Sequence, residues 1–344
     1  MKKKLIICGL LAFFAVAIVW GLAYSAGKYK RLPNGFTRRG PQQRATPLHS
    51  LDLGYNSFYI AGISGDKIFL GNSTAPLTVL VTDSLFSKID TVHITGMDVL
   101  MSGKLTIDSG HFFLTDRKQR AIYTGDISNW QVTAKMHTRS FFDVAIFLSR
   151  HTLIVRTFKE SVAEYTLAKE NTTDTSLSFF PSILQKQGDG VFSNDGMLQY
   201  DARSSKLVYI YFYRNEFIVL DTNLTVLSRH HTIDTCSTAK IEVSPVLSEH
   251  ALVISKNPDP VNRKSCVFNN KIYILSSLAA DNENYDSFAE QNVADIYSLQ
   301  TGKYMRTIYL PVHKGQKIKN MRLLGEGTLV AISGDYLVSY RVPG

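Results

Sequence analysis

The sequence predicts an all-β fold, a β-propeller of six blades with four antiparallel strands each. Three observations predict it. Short apolar runs joined by polar turns recur along the chain, helical patterning is nearly absent after residue 48, and the recurrences start 39 to 65 residues apart. Repeats of about 40–50 residues are typical of four-stranded propeller blades. A seventh blade or a pair of β-sandwiches stays open, because the repeat is one of pattern and not of identical residues.

The first clear unit is "FYIAGISGDKIFLGN", which starts at Phe58. Its two runs are rich in β-branched and aromatic residues, which suit a pleated, half-buried surface. Gly65 and Asp66 separate the runs, and glycine supplies the positive φ that tight hairpin turns require. The stretch is therefore predicted to be a β-hairpin.

Similar units follow along the chain: "HFFLTDRKQRAIYTGD", "RHTLIVRTFKESVAEYTLA", "KLVYIYFYRNEFIVLDTN", "KIYILSS" with "VADIYSLQTG", and "GTLVAISGDYLVSYRVPG". An open circle of blades would leave unpaired strand edges, which propellers avoid. We therefore expect the last unit to share its blade with an early strand from the region between Leu48 and Ile63. Residues 48–344 form the predicted propeller domain.

The N-terminus has a different character. Three lysines precede a run of 23 uncharged residues from Leu5 to Gly27, and about 20 apolar residues span a bilayer core. We interpret residues 1–27 as a cytoplasmic lysine cluster and an uncleaved transmembrane signal anchor that contacts the lipid bilayer through Leu5 to Gly27. A secretory signal peptide cleaved after Ser25 is the alternative.

Charge is distributed unevenly. Residues 1–47 hold nine Lys and Arg and no Asp or Glu, which leaves 29 basic against 29 acidic residues in the predicted propeller. A neutral domain argues against nucleic-acid binding. Residues 28–47, basic and broken by proline and glycine, are predicted to be a linker lying near anionic lipid headgroups.

The targeting layout places the chain in the bacterial inner membrane as a single-pass protein, with the C-terminal domain in the periplasm or outside. The positive-inside rule alone predicts the opposite orientation, because six basic residues follow the apolar segment and three precede it.

"NGFTRRGP", "YNSFYIAGISGDKIFLGNSTAPL" and "GDGVFSNDGMLQYD" resemble a group of uncharacterised bacterial membrane-anchored proteins with a propeller-like extracytoplasmic domain. This resemblance covers most of the chain and implies an envelope location without implying an activity. The Asp-ended hairpins "FFLTD" and "FIVLD" are more distantly similar to six-bladed propellers of the NHL type, although the regular Gly-Asn spacing of that type is missing.

Motifs for metal, cofactor or nucleotide chemistry are not found, so we predict no metal site and no cofactor. Cys236 and Cys266 could form a disulfide in an oxidising compartment, and two separate thiols fit equally well. The acidic run "DNENYD", residues 281–286, is interpreted as a solvated loop, with a calcium site as the less favoured reading.

The most distinctive stretch is "VYIYFYRNEF". Tyr209 and Tyr211 are expected to pack inside the propeller, and Arg214 is expected to lie exposed at the turn. A recognition patch of Tyr213, Arg214 and Asn215, with Asp195 from the neighbouring "SNDGMLQYD", would suit an anionic or peptide ligand.

Two function classes remain. The first is a binding module of the cell envelope that takes a protein, peptide or glycan, with no catalytic residues assigned. The second is a propeller hydrolase or lyase with an active site in the central channel. The second requires inward-pointing titratable residues with perturbed pKa values.

Overall fold

The computed structural model describes residues 2–27, 33–97, 100, 102–246, 251–256 and 258–343. The chain begins with helix α1 (Lys2–Gly27). Among the described residues, the structure contains no helix with the length and apolarity needed to cross a membrane. Part of the predicted linker, residues 28–32, lies outside the described residues.

Two early strands lie against the last blades of the propeller. Strand β1 (Gln43–Arg44) pairs in parallel with a strand near residue 308, and β2 (Thr46–Asp52) pairs with the C-terminal strand. We call residues 33–47 the strap. Although these residues belong to the predicted linker, they are ordered against the propeller.

The remaining strands form the blades in chain order. Blade one comprises β3 (Phe58–Ser64), β4 (Lys67–Asn72), β5 (Thr78–Asp83) and β6 (Ile89–His93). Blade two comprises β7 (Gly103–Asp108), β8 (His111–Asp116), β9 (Ala121–Asp126) and β10 (Val132–His137). Blade three comprises β11 (Phe142–Phe147), β12 (Thr152–Lys159), β13 (Glu164–Asn171) and β14 (Leu177–Phe180), with a 3₁₀ turn at Glu160–Val162.

Blade four comprises β15 (Gly196–Asp201), β16 (Lys206–Tyr211), β17 (Glu216–Asp221) and β18 (Val226–His231). A separate hairpin follows, formed by β19 (Glu242–Val246) and β20 (Ala251–Lys256). Blade five comprises β21 (Asn262–Phe268), β22 (Lys271–Ser276), β23 (Gln291–Ser298) and β24 (Tyr304–Pro311), with helix α2 (Tyr285–Ala289) before β23. Blade six comprises β25 (Ile318–Gly325), β26 (Thr328–Ser333) and β27 (Tyr336–Arg341), completed by β2.

The strand pairing confirms the predicted six-bladed propeller with four antiparallel strands in each blade, and β1 adds a fifth, parallel strand to the sheet of blade five. The predicted closure is also confirmed, because β2 completes blade six from Thr46↔Arg341 to Asp52↔Tyr336. In the first hairpin, Ser64 pairs with Lys67 across a two-residue turn in which Gly65 has a φ of 62°. The hairpin prediction is therefore correct, including the positive φ at the glycine.

The hydrophobic core lies between the blades. Each of the six interfaces between neighbouring blades holds its own cluster of buried apolar residues, including the interface of blade six with blade one. Aromatic residues fill this space, as Phe112 and Trp130 do by stacking with ring centroids 5.8 Å apart. Six interfaces for six blades make a closed ring around a central channel.

Candidate functional site

The first strand of every blade lines the central channel. Its upper cavity, about 260 Å³ in volume, is bordered by residues from β3, β7, β11, β15, β21 and β25. A second cavity of about 230 Å³ continues along the same strands. We call the end of the propeller at which these first strands begin the upper face. The loops between blades and the loops from second to third strands belong to it, because neighbouring strands run in opposite directions.

Three basic side chains from three different blades line the upper cavity. Lys104 comes from β7, Lys264 from β21 and Arg322 from β25. The two lysines are exposed to the channel and the arginine is partly buried. Arg322 Nη1 donates to Gln199 Oε1 of β15 at 3.1 Å, which links blade six to blade four across the channel.

No carboxylate or histidine lines the upper cavity as far as the described residues show. Within the same described ranges, no Asp or Glu forms an ion pair with any of the three cations. Although the Lys104 side chain is accessible in the channel, partial desolvation by the surrounding protein lowers its pKa. The positive charges of Arg117 and Arg322 lower this pKa further, and Asp143 opposes the shift. Burial also lowers the pKa of Lys264 and of Arg322. The cavity therefore collects three positive charges without an ion-paired carboxylate in the described part of the chain, although Asp143 attracts Lys104 from a longer distance.

The expectation that Arg214 lies exposed at a turn is wrong. Its side chain is 1% exposed, and its guanidinium carbon lies 3.4 Å from the centroid of the Tyr211 ring. Its three nitrogens donate to Glu216 Oε2 at 2.9 Å and to the carbonyls of Ser193 at 3.3 Å and Gln185 at 2.8 Å. The loop 181–195 covers Arg214, because the carbonyls of Gln185 and Ser193 in this loop accept from its guanidinium.

The tyrosine predictions are correct, since Tyr209 and Tyr211 are both fully buried. The Tyr209 hydroxyl donates to the Asn194 carbonyl, and the Tyr211 hydroxyl accepts from the Gln185 amide at 3.1 Å. Burial raises the pKa of Tyr211, and that of Tyr209 rises for the same reason.

The other residues of the predicted patch are dispersed. Asn215 is buried and donates to the Asp234 carbonyl at 2.5 Å. Tyr213 is half-buried and lines a separate cavity of about 310 Å³ that also includes Cys236. Asp195 is bound by Arg156, whose Nη1 lies 2.6 Å from Asp195 Oδ1. The structure therefore does not bring Tyr213, Arg214, Asn215 and Asp195 together as one exposed surface.

A buried salt bridge fixes the strap to blade five. Arg38 Nε and Nη2 donate to the two oxygens of Asp295, each at 2.9 Å. Nη1 donates to the Leu278 carbonyl at 3.1 Å and also pairs with Glu283. The rings of Phe36 and Phe288 lie 5.3 and 5.7 Å from the guanidinium carbon. Burial disfavours this cation, but its two carboxylate partners raise the Arg38 pKa above its ordinary value.

The acidic run 281–286 holds the strap in place. Asp281 accepts from the backbone nitrogens of Asn34 and Gly35 at 2.7 and 3.0 Å. Asn282 exchanges hydrogen bonds with the Arg38 backbone at 3.1 and 2.9 Å. The described residues contain no cluster of His, Cys, Asp and Glu suited to a metal. Most residues of the run are exposed, as predicted for a solvated loop. Asp281 and Asn282 also bind backbone groups of the strap, so the run is in addition a docking loop.

The possible disulfide between Cys236 and Cys266 is not formed, and both are free thiols. Cys266 is fully buried in the core between blades five and six, where burial raises its pKa to about 12. Cys236 lies in the loop after β18, half-buried, with its carbonyl accepting from Asn215 at 2.8 Å. The ring of blades holds the two apart.

Sequence reasoning missed Lys104, Lys264 and Arg322. Each stands in the first strand of its unit, in "GKLTID", "NRKSCVF" and "IKNMRLLG". First strands line the channel, so a basic residue in a first strand is the signal that could have identified them. Recognising that signal requires the blade boundaries, which an irregular repeat gives only approximately.

No protein-family model and no curated protein matches the chain. Among solved structures, it is similar to a member of the DUF4221 family from Bacteroides vulgatus, with a TM-score of 0.52 and 13% identity over 91% of this chain and 99% of that one. This likeness supports the propeller fold and leaves the resemblance to membrane-anchored and NHL-type proteins untested.

Two fungal structures also match. The Myceliophthora thermophila Cps50 (Swd1) β-propeller domain has a TM-score of 0.45 and 10% identity, and covers 87% of this chain and 100% of that one. The Neurospora crassa Pan2 WD40 domain has a TM-score of 0.48 and 7% identity, and covers 90% and 98%.

Proposed function

We propose that this chain is a membrane-tethered interaction module whose propeller binds its ligand at the upper face. The observation that carries the proposal is the upper cavity, where three cations from three blades converge without a carboxylate among the described residues. Loops and channel mouths on a rigid ring of blades are where propellers present binding groups. A protein, peptide or glycan that carries negative charge would suit this face.

The tether is proposed from the sequence, since no membrane-spanning helix is found in the described ranges. Leu5 to Gly27 carries no charge, and this stretch belongs to α1. The proposed location is the bacterial inner membrane, with the propeller in the periplasm or outside. Arg39 and Arg44 of the strap are exposed and would contact anionic headgroups.

The attachment of the strap to blade five supports a short tether between the membrane and the propeller. Only residues 28–32 separate the end of α1 from Pro33 at the start of the strap, and such a stretch spans at most roughly 20 Å when fully extended. The strap binds the loop before α2, which joins the second and third strands of blade five and so belongs to the upper face. The membrane and the channel mouth would therefore be close neighbours.

Fractionation of bacterial cells that express the full chain tests the tether. We expect the protein in the membrane pellet after a carbonate wash, with its N-terminus intact by mass spectrometry and its propeller digested by protease only after the outer membrane is opened. A matched chain starting at Pro33 should be soluble. Soluble full-length product starting at Ala26 would contradict the proposal, as would a propeller protected inside intact spheroplasts.

A further inference from the structure

We infer that the upper cavity of the central channel is a binding site for a small oxyanion that carries two or more negative charges. The inference names the ligand class of the proposed interaction module and rests on that proposal for its biological setting. The site consists of Lys104, Lys264 and Arg322, with Gln199 between them.

The three basic side chains line one cavity although they come from different blades. Their strands belong to blades two, five and six, and they meet only because the ring closes. Lys104 and Lys264 expose their side chains to the cavity and can reach a ligand in it. Arg322 is more enclosed and is positioned by Gln199 at 3.1 Å.

The free protein forms no ion pair with these three cations among the described residues. Elsewhere in the same ring, Arg156 is nine-tenths buried and meets both Asp143 and Asp195. The channel cations meet no carboxylate at ion-pair distance in the described part of the chain. Lys104 is also repelled by Arg322 and Lys264. A bound anion would reduce this repulsion and supply the oxygens with which the three cations can pair.

The geometry favours an oxyanion with more than one charge. A guanidinium presents paired donors that match the oxygens of phosphate or carboxylate, whereas lysine supplies a point charge. Three cations from three blades suit a ligand with several oxygens. The cavity of about 260 Å³ is several times the ~30 Å³ that one water occupies in the liquid, so it has room for a small organic or inorganic anion.

Polar neighbours complete the site. Gln199 Oε1 accepts from Arg322, so the amide nitrogen of Gln199 is a further donor. Asn320 and Ser265 also border the cavity. Together they would replace part of the water that an anion loses on entering the channel.

Calorimetric titration of the purified full chain in a nonionic detergent at low ionic strength tests the inference. The probes are pyrophosphate and citrate, with acetate as the monovalent reference. We expect at least one trivalent probe to bind more than about tenfold more tightly than acetate. A preference for pyrophosphate would identify phosphate chemistry, and a preference for citrate would identify carboxylate chemistry.

The variants Lys264→Met and Arg322→Met should each weaken the preferred probe by about tenfold or more, and Arg322→Lys should lose less than Arg322→Met. Lys303→Met removes the same charge from an exposed turn at the outer edge of blade five and should bind like the wild type. In the absence of a ligand, Lys264→Met should raise the melting temperature, a result that a structural lysine would not give.

Equal binding of trivalent probes and acetate by the wild-type chain would overturn the inference, whatever the variants do. So would channel variants that bind as tightly as Lys303→Met. Either result leaves the proposed tether standing, because membrane fractionation is independent of the channel. The two proposals can also fail separately in the other direction. If the chain binds pyrophosphate or citrate as expected but is recovered as soluble protein starting at Ala26, the oxyanion site is supported and the tether is contradicted.

Discussion

Basic side chains lie both in the clamp, by which we mean the buried ion pairs of Arg38 with Asp295 and Glu283, and in the upper cavity, but their partners differ. In the clamp, Arg38 meets two carboxylates and a carbonyl. In the cavity, Arg322 meets a neutral amide, and Lys264 meets no carboxylate among the described residues. Enclosed charge is tolerated in folded proteins when it is paired. The comparison supports the proposal that ion-paired cations stabilise this propeller, whereas cations without an ion pair bind a ligand.

The largest expected effect comes from breaking the clamp. Arg38→Met leaves Asp295 and Glu283 enclosed without their partner, and removing one member of a buried ion pair typically destabilises by about 3–5 kcal/mol. The strap includes the first two residues of β2, which completes blade six, so the loss should affect closure of the ring. Urea unfolding followed by tryptophan fluorescence measures it.

The neighbouring Arg39 is exposed and provides the matched control. Arg39→Met should change the free energy of unfolding by less than about 0.5 kcal/mol. If Arg38→Met and Arg39→Met unfold at the same urea concentration, the ion-paired Arg38 has no measurable role in stability. This result would contradict the distinction between the clamp and the cavity.

The second effect concerns Arg214, which the sequence alone places on the surface. Because its guanidinium is buried on Tyr211 and binds Glu216 and two carbonyls, Arg214→Ala should destabilise by about 2–4 kcal/mol. Truncating Tyr211, whose loss typically costs about 3–5 kcal/mol, provides the reference. If Arg214→Ala instead unfolds at the wild-type urea concentration, the exposed-turn interpretation is restored.

The fold could be predicted from local patterns, since each hairpin carries its own alternation and turn residues. Gly65 and Asp66 determine a turn within a few residues of the strands they join. Ring closure followed from the general need to pair strand edges. These features depend on short-range chemistry or on a rule that applies to every propeller.

The site could not be predicted in the same way, because its contacts are long-range. Arg38 pairs with Asp295, 257 residues away. Arg214 looks like a surface turn residue until the loop 181–195 of the same upper face is placed over it. Lys104, Lys264 and Arg322 become neighbours only when three blades are arranged around the channel. The sequence places Arg38 in a linker and Arg214 in a polar turn, and both contexts suggest exposure. The three channel cations look like scattered surface residues. In each case the role of the side chain is determined by tertiary contacts.

The smallest effect is a pH dependence of stability that arises from the cavity. The pKa of Lys104 is lowered from 10.5 by burial, then by Arg117 and Arg322, with Asp143 acting in the opposite direction and Lys264 adding to the repulsion. The pKa of Lys264 is lowered by burial and by Arg263. Between each lowered pKa and 10.5 the unfolded chain binds more protons than the folded one, so the free energy of unfolding should rise with pH in this window.

Other groups titrate in the same alkaline range, so the measurement has to be a difference. The raised pKa values of buried tyrosines, and of Cys266 at about 12, act in the opposite direction, because these groups ionise first in the unfolded chain. The free energy of unfolding of the wild type minus that of Lys104→Met/Lys264→Met cancels them. This difference should increase as pH approaches 10.5, and excess pyrophosphate, if it is the anion bound in the cavity, should reduce the increase by compensating the charges. If this difference does not change with pH in the absence of pyrophosphate, hydration by channel water already stabilises the charged lysines. The cavity would then differ from the clamp in its contacts, but its cations would not destabilise the fold.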